Sequence, residues 1–117
     1  MTVSDTYAIV RQAILDKRQI VATYRGHRRE MCPHVIGTKN GREQALFFQF
    51  AGSSRSGLPP GGEWRCIPLE DLTDVSSRAG RWHTAAGTRP QTCVDRIDVD
   101  AAATAGADRI AARARVR

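Results

Sequence analysis

The stretch from Met31 to Phe50, MCPHVIGTKNGREQALFFQF, constrains the chain most, because it sets an Asn-Gly pair between two apolar runs. A two-residue type I′ turn needs positive φ at both central positions, which Asn40 and Gly41 tolerate, so the two runs are expected to fold back as a β-hairpin. On its second arm Leu46, Phe48 and Phe50 alternate with Ala45, Phe47 and Gln49. Both faces of that arm are then largely apolar, and both need cover. A strand of this kind belongs inside a sheet.

The segments around the hairpin supply the rest of such a sheet. Ser4 or Asp5 caps a helix that runs to about Lys17, with Tyr7, Val10, Ala13 and Ile14 at helical spacing. From Gln19 to Arg25 the period changes to 2, giving a first strand that turns at Arg25-Gly26-His27. Arg28 to Gly37 returns as a second strand, and Pro33 within it predicts a bulge or bend because proline has no N–H to donate. Gly52 to Glu63 holds four Gly, two Pro and three Ser and reads as a loop. Trp64–Ile67, a single helical turn over Leu69–Leu72 and Thr73–Ser77 follow. Ser77 to Thr88 reads as irregular, with Trp82 as an apolar anchor, and Thr92 to Val99 as an edge strand with Cys93, Asp95, Ile97 and Val99 on one face.

The expected fold is mainly β: an N-terminal helix on a small, bent, antiparallel SH3/Sm-like barrel of five or six strands. Ile20, Tyr24, Leu46, Phe48, Ile67 and Leu72 are its expected core. The barrel domain takes residues 1–100, and residues 101–117 form an Ala/Arg-rich tail expected to be mobile.

With 117 residues the chain suits one domain. No run approaches the roughly 18 apolar residues of a transmembrane helix, and the N-terminus carries an acid where a signal peptide has basic residues, which points to the cytoplasm and away from membranes. Three cysteines, Cys32, Cys66 and Cys93, lie far apart and outside any CxxC pair. They are expected to be buried reduced thiols rather than a disulfide framework or a zinc ribbon. Of the +6 formal charge, half sits in the last ten residues, where Arg109, Arg113, Arg115 and Arg117 face Asp108 alone.

The order of these elements, and several residues in them, resemble the WYL domain, a bacterial module found in transcriptional regulators and in some CRISPR-associated and helicase proteins. The similar residues run from Ala8 to Val75: AIVRQAI leading into IVATY, then RGHRREMCP with Arg29, Met31 and Pro33 at alternate positions, the Asn-Gly hairpin, and WRCIPLEDLTDV. Two departures stand out. The signature Trp-Tyr-Leu falls near Ala45-Leu46-Phe47, and Arg65 is the only arginine of the later motif, with Pro68 and Asp71 at its other basic or polar positions. The few residues before the first helix leave no winged helix, so a free-standing module is expected.

The resemblance implies a non-enzymatic regulatory module that senses a nucleotide or single-stranded nucleic acid through a basic patch on the sheet. Carried over residue by residue, the patch is Tyr24, Arg29 and Arg65, with Arg28, His34 and Gln49 as neighbours. Arginines on adjacent strands converge on phosphate, and an aromatic ring offers a stacking face. They are expected to be exposed and to matter little to folding. No cofactor is expected. A metal site from Cys32, His34 and Cys66, with His83 and Cys93, and a Cys93 or Cys66 nucleophile with His83 as base, both lack a recognised spacing. The alternative is a protein–protein interaction or dimerisation module with no ligand of its own, using exposed strand edges.

Overall fold

The computed structural model describes residues 3–53, 57–85 and 93–102. Helix α1 (Asp5–Asp16) is capped by the Ser4 side chain, which accepts from Tyr7 N. It stops at Lys17, whose left-handed backbone (φ 54°) turns its N–H back to Ile14 O, while Arg18 N donates to Ala13 O. The strands are β1 (Gln19–Tyr24), β2 (His27–Lys39), β3 (Arg42–Gly52), β4 (Glu63–Pro68), β5 (Leu72–Arg78) and β6 (Arg96–Asp100), with a 3₁₀ turn at Leu69–Asp71 between β4 and β5.

All pairings are antiparallel, in the order β4-β3-β2-β1-β5, with β6 added to β2. The mainly β, barrel-like architecture expected from the sequence is therefore present. Two tight turns begin the meander. Arg25-Gly26 and Asn40-Gly41 all have positive φ, as two-residue type I′ turns require. Strand β2 is the longest, with 13 residues, and its two halves have different neighbours: one edge pairs with β3 throughout, while the other pairs with β1 up to Met31 and with β6 from Val35. The register shift that permits this bend lies at Pro33–Val35, where the proline predicted it.

The inner face carries the main core. Tyr7, Val10, Ala13 and Ile14 of α1 pack on Ile20, Ala22, Met31, Ile36, Ala45, Phe47, Ile67, Leu69, Leu72, Val99 and Ala101. Phe47, fully buried, occupies the place the sequence reading gave to Leu46 and Phe48. Those two are buried on the opposite face, Leu46 with Val35, Cys93 and Val94, and Phe48 against Trp64 at 5.3 Å between ring centroids. Tyr24 is only half-buried. The parity of β3 was legible, but which parity met the helix was not, because both faces carry large apolar groups.

A second correction concerns the last strand. Cys93 and Val94 are both buried, Val99 is buried and Ile97 is 54% exposed, so no single alternation runs through the segment. The cause is a register shift between Ile36 and Gly37, where β6 lies so close that the Arg96 carbonyl occupies the space a Gly37 side chain would need. The third correction is covalent: Cys66 and Cys93 form a disulfide, and only Cys32 is a buried free thiol. The separation of 27 residues hid the pair. Cys66 stands on β4 beside β3, while Asp95 N bonds Thr38 O at 3.0 Å and brings Cys93 across Gln44 to meet it.

Residues 81–83 lie on β2 at Cys32–His34, the stretch between its pairing with β1 and with β6. Trp82, the expected anchor, stacks on His34 (4.8 Å), His83 stacks on Phe50 (3.9 Å), and Cys32 Sγ receives the His83 N–H at 3.2 Å. No helix among the described residues is long and apolar enough to cross a membrane. The expectation of a mobile tail falls outside the described residues beyond Ala102.

Candidate anion-binding site

At the end of the inner face away from Ile36 and Val99, the sheet places charge where the rest of that face is apolar. Cross-strand register aligns Gln49 with Glu63 and Phe47 with Arg65, so Gln49, Glu63 and Arg65 share the face of the main core. Arg29 joins them from β2. Its Nη1 donates to Gln49 Oε1 at 3.2 Å, its Nη2 donates to the Tyr24 carbonyl at 3.3 Å, and its guanidinium lies 4.8 Å from the centroid of the Tyr24 ring. Gln49 is fixed in turn by donating from Nε2 to Ala51 O and Ser53 O.

Arg29 is only 2% exposed, which corrects the expectation of a solvated arginine. Burial lowers its pKa below the usual guanidinium range, and the positive charge of Arg65 lowers it further. Arg65 is half-buried, with 20% of its side chain exposed. Its Nη2 lies 2.8 Å from a Glu63 carboxylate oxygen, an ion-pair contact without hydrogen-bond alignment. Arg29 Nε, Arg65 Nε and Arg65 Nη2 are buried and make no hydrogen bond among the described residues. Glu63 pairs with Arg65 and not with Arg29, and the Nε atoms of both guanidinium groups are left without an acceptor among the described residues. Such donors are costly to bury unmet, and a bound oxyanion would satisfy them.

Four of the six candidate residues, Tyr24, Arg29, Gln49 and Arg65, come together here. Arg28 and His34 do not. Arg28 is exposed and pairs with Glu30 at 3.4 Å, because residues next to each other on a strand point to opposite faces. His34 sits on the outer face, stacked on Trp82 and edge-on to Trp64, with Nδ1 2.9 Å from Cys32 O. The metal and nucleophile arrangements are not assembled either: Cys66 is bonded to Cys93, while His83 lies against Phe50 and Cys32.

The sequence reading missed two members of the cluster. Glu63 is the counter-charge of Arg65, and its spacing of two from Arg65 on a short strand was the available signal. The Arg25 guanidinium lies 5.1 Å from the centroid of the Tyr24 ring and adds a third positive charge near the site. Comparison with protein-family models, with curated proteins and with solved structures returned no match to this chain.

Proposed function

We propose that this chain is a non-enzymatic regulatory module of the WYL kind, binding a nucleotide-type ligand or single-stranded nucleic acid through Arg29 and Arg65, with Tyr24 as the flanking aromatic face. One observation carries the reading: on one face a buried Arg29 and a partly buried Arg65 lie near each other with Glu63 as the carboxylate paired to Arg65, and the Nε atoms of both arginines have no acceptor among the described residues. Arginine forks bind phosphate bidentately, and a ring beside them suits a base. We further place the module in the cytoplasm. Arg28 and His34 are left out of the ligand set because they lie on the other face.

The test is thermal unfolding and titration of the full chain with inorganic phosphate, mononucleotides, cyclic dinucleotides and short single strands over a salt series. Binding of a single strand is expected to weaken with salt at a log–log slope near −0.7 per phosphate neutralised. Arg65→Gln should abolish the stabilisation by ligand while leaving the unliganded protein as stable as wild type or slightly more so, because it removes a like charge from Arg29. Arg29→Lys keeps the charge, loses the fork and should weaken binding less than Arg65→Gln removes it. If no anion raises the melting temperature even at low salt, the site is structural. The alternative, an interaction module, then takes over, favoured by Ile97, which is 54% exposed on β6.

A further inference from the structure

The two sulfurs of the disulfide stand in different surroundings. Cys66 occupies an exposed position of β4, whereas Cys93 is 5% exposed beneath it. Gln44 reaches both: its Nε2 lies 3.1 Å from Cys66 Sγ, 3.9 Å from Cys93 Sγ and 2.5 Å from the Cys93 carbonyl oxygen, which accepts from it. The remaining thiol, Cys32, is buried on another part of the sheet, and burial pushes its pKa up, so it takes no part. The bond also holds a second apolar cluster in place. Cys93 and Val94 pack there with Val35, Leu46 and Trp64.

We propose that Cys66–Cys93 is a thiol-exchange site, entered at Cys66, that controls how firmly residues 93–95 are held on the sheet. Exchange requires a thiolate to reach one sulfur, and the sulfur left behind departs as a thiolate. Here only Cys66 is open to attack. The thiolate of a small external thiol of the glutathione class forms a bond to Cys66 Sγ as the Cys66–Cys93 bond breaks. The electron pair of that bond goes to Cys93 Sγ, which leaves beside the Gln44 carboxamide N–H and takes up the proton lost by the external thiol. A second external thiol attacks the outer sulfur of the mixed disulfide, frees the Cys66 thiol and departs with the first as an oxidised dimer. Two electrons pass from two external thiols to the protein disulfide.

After reduction, residues 93–95 keep the Gln44 bond to Cys93 O and the Asp95 N bond to Thr38 O, but lose the covalent tie to β4. In reducing compartments, disulfides that do form are mostly of this transient or sensing kind. None of this depends on the arginine site.

The full chain is tested in its folded state with reduced glutathione at increasing concentration, cysteines being trapped by alkylation and assigned by mass spectrometry. The proposal expects reduction at a rate proportional to thiol concentration, a mixed disulfide on Cys66, and Cys32 unlabelled. Amide hydrogen exchange of Val94 and Arg96 should accelerate in the reduced protein, with that of Phe47 unchanged. Cys93→Ser should form the glutathione adduct on Cys66 when given the oxidised dimer, and Cys66→Ser should form little on Cys93. A reduction rate that saturates at the rate of global unfolding, or a mixed disulfide found on Cys93, overturns the proposal. Both of those readings use the wild-type chain, so a poorly folding variant does not blunt the test.

Discussion

Replacing Tyr7 with Phe deletes a single hydroxyl from the contact that ties α1 to β6. Tyr7 Oη donates to Asp98 Oδ2 at 2.6 Å, and Arg11 Nε donates to the same oxygen at 3.0 Å. A hydrogen bond to a charged group contributes about 1.5–3 kcal/mol. Tyr7 itself is buried, but the Asp98 and Arg11 side chains are 38% and 42% exposed, and solvent screening brings the expected loss to about 1–2 kcal/mol. The same bond sets two pH dependences. It is the main cause that holds the Asp98 carboxyl below its usual range, so its stabilisation is complete above the unfolded carboxylate pKa of about 3.9 and is lost as pH falls through the lower folded value. For Tyr7, burial first and the bond to Asp98 second raise the phenol pKa. That contribution is complete below the unfolded value of about 10 and is lost as pH rises above it towards the folded one. Urea unfolding, followed by Trp64 and Trp82 fluorescence at fixed ionic strength from about pH 3 to 11, reads both shoulders. The difference between wild type and Tyr7→Phe should shrink at each end of that range. A loss below about 0.5 kcal/mol at neutral pH, or a difference that does not change with pH, refutes the reasoning.

Two further outcomes follow from the packing. Phe47→Ala should cost about 3–5 kcal/mol in the same unfolding assay, because the ring is fully buried in the main core; a loss under about 1 kcal/mol would show that the inner face is not the principal core. Gly37→Ala drives a methyl into the Arg96 carbonyl and the Val94 side chain, so it should cost at least the roughly 1–3 kcal/mol of an overpacked site and should raise amide exchange across β6 while leaving β1 protected.

The local elements were legible because each carries its own signal: the Ser4 cap, the Asn40-Gly41 turn, the break at Pro33 and the change of period at Gln19 all act over a few residues. What escaped is what depends on tertiary choice. Phe47 and Phe48 are adjacent, equally apolar and both buried, and only the docking of α1 decides which one enters the main core. Cys66 and Cys93 carry no local mark of their bond, since it exists only once β6 has paired with β2 and β4 with β3. For the candidate site, the resemblance selected Tyr24, Arg29, Gln49 and Arg65, which converge; it also selected Arg28 and His34, which strand parity and the Pro33 bend send to the other face.

The arginine cluster lies where the sheet departs from its period of two. Between Glu30 and Met31 the register against β3 shifts, so that Met31 opposes Gln49 while Arg29 opposes Gly52. Gly52 has φ 92°, and a side chain there would run into the backbone of Arg28 and Arg29. This irregularity brings Arg29 over Gln49 and turns its guanidinium inward, towards the charge of Arg65. Packing does not demand that arrangement. A buried ion is retained at low cost only with full pairing, and replacing a buried ion pair by apolar residues of similar volume is often neutral or stabilising. With Glu63 paired to Arg65 and not to Arg29, the unliganded domain holds an unfavourable electrostatic contact inside a fold that is otherwise well packed. By linkage, an anion that binds the folded chain and not the unfolded one stabilises it by RT ln(1 + [L]/Kd), about 2.7 kcal/mol at a hundredfold excess over Kd. Relief of the repulsion between Arg29 and Arg65 is part of that binding energy, so the same contact that weakens the empty domain strengthens its hold on an anionic ligand.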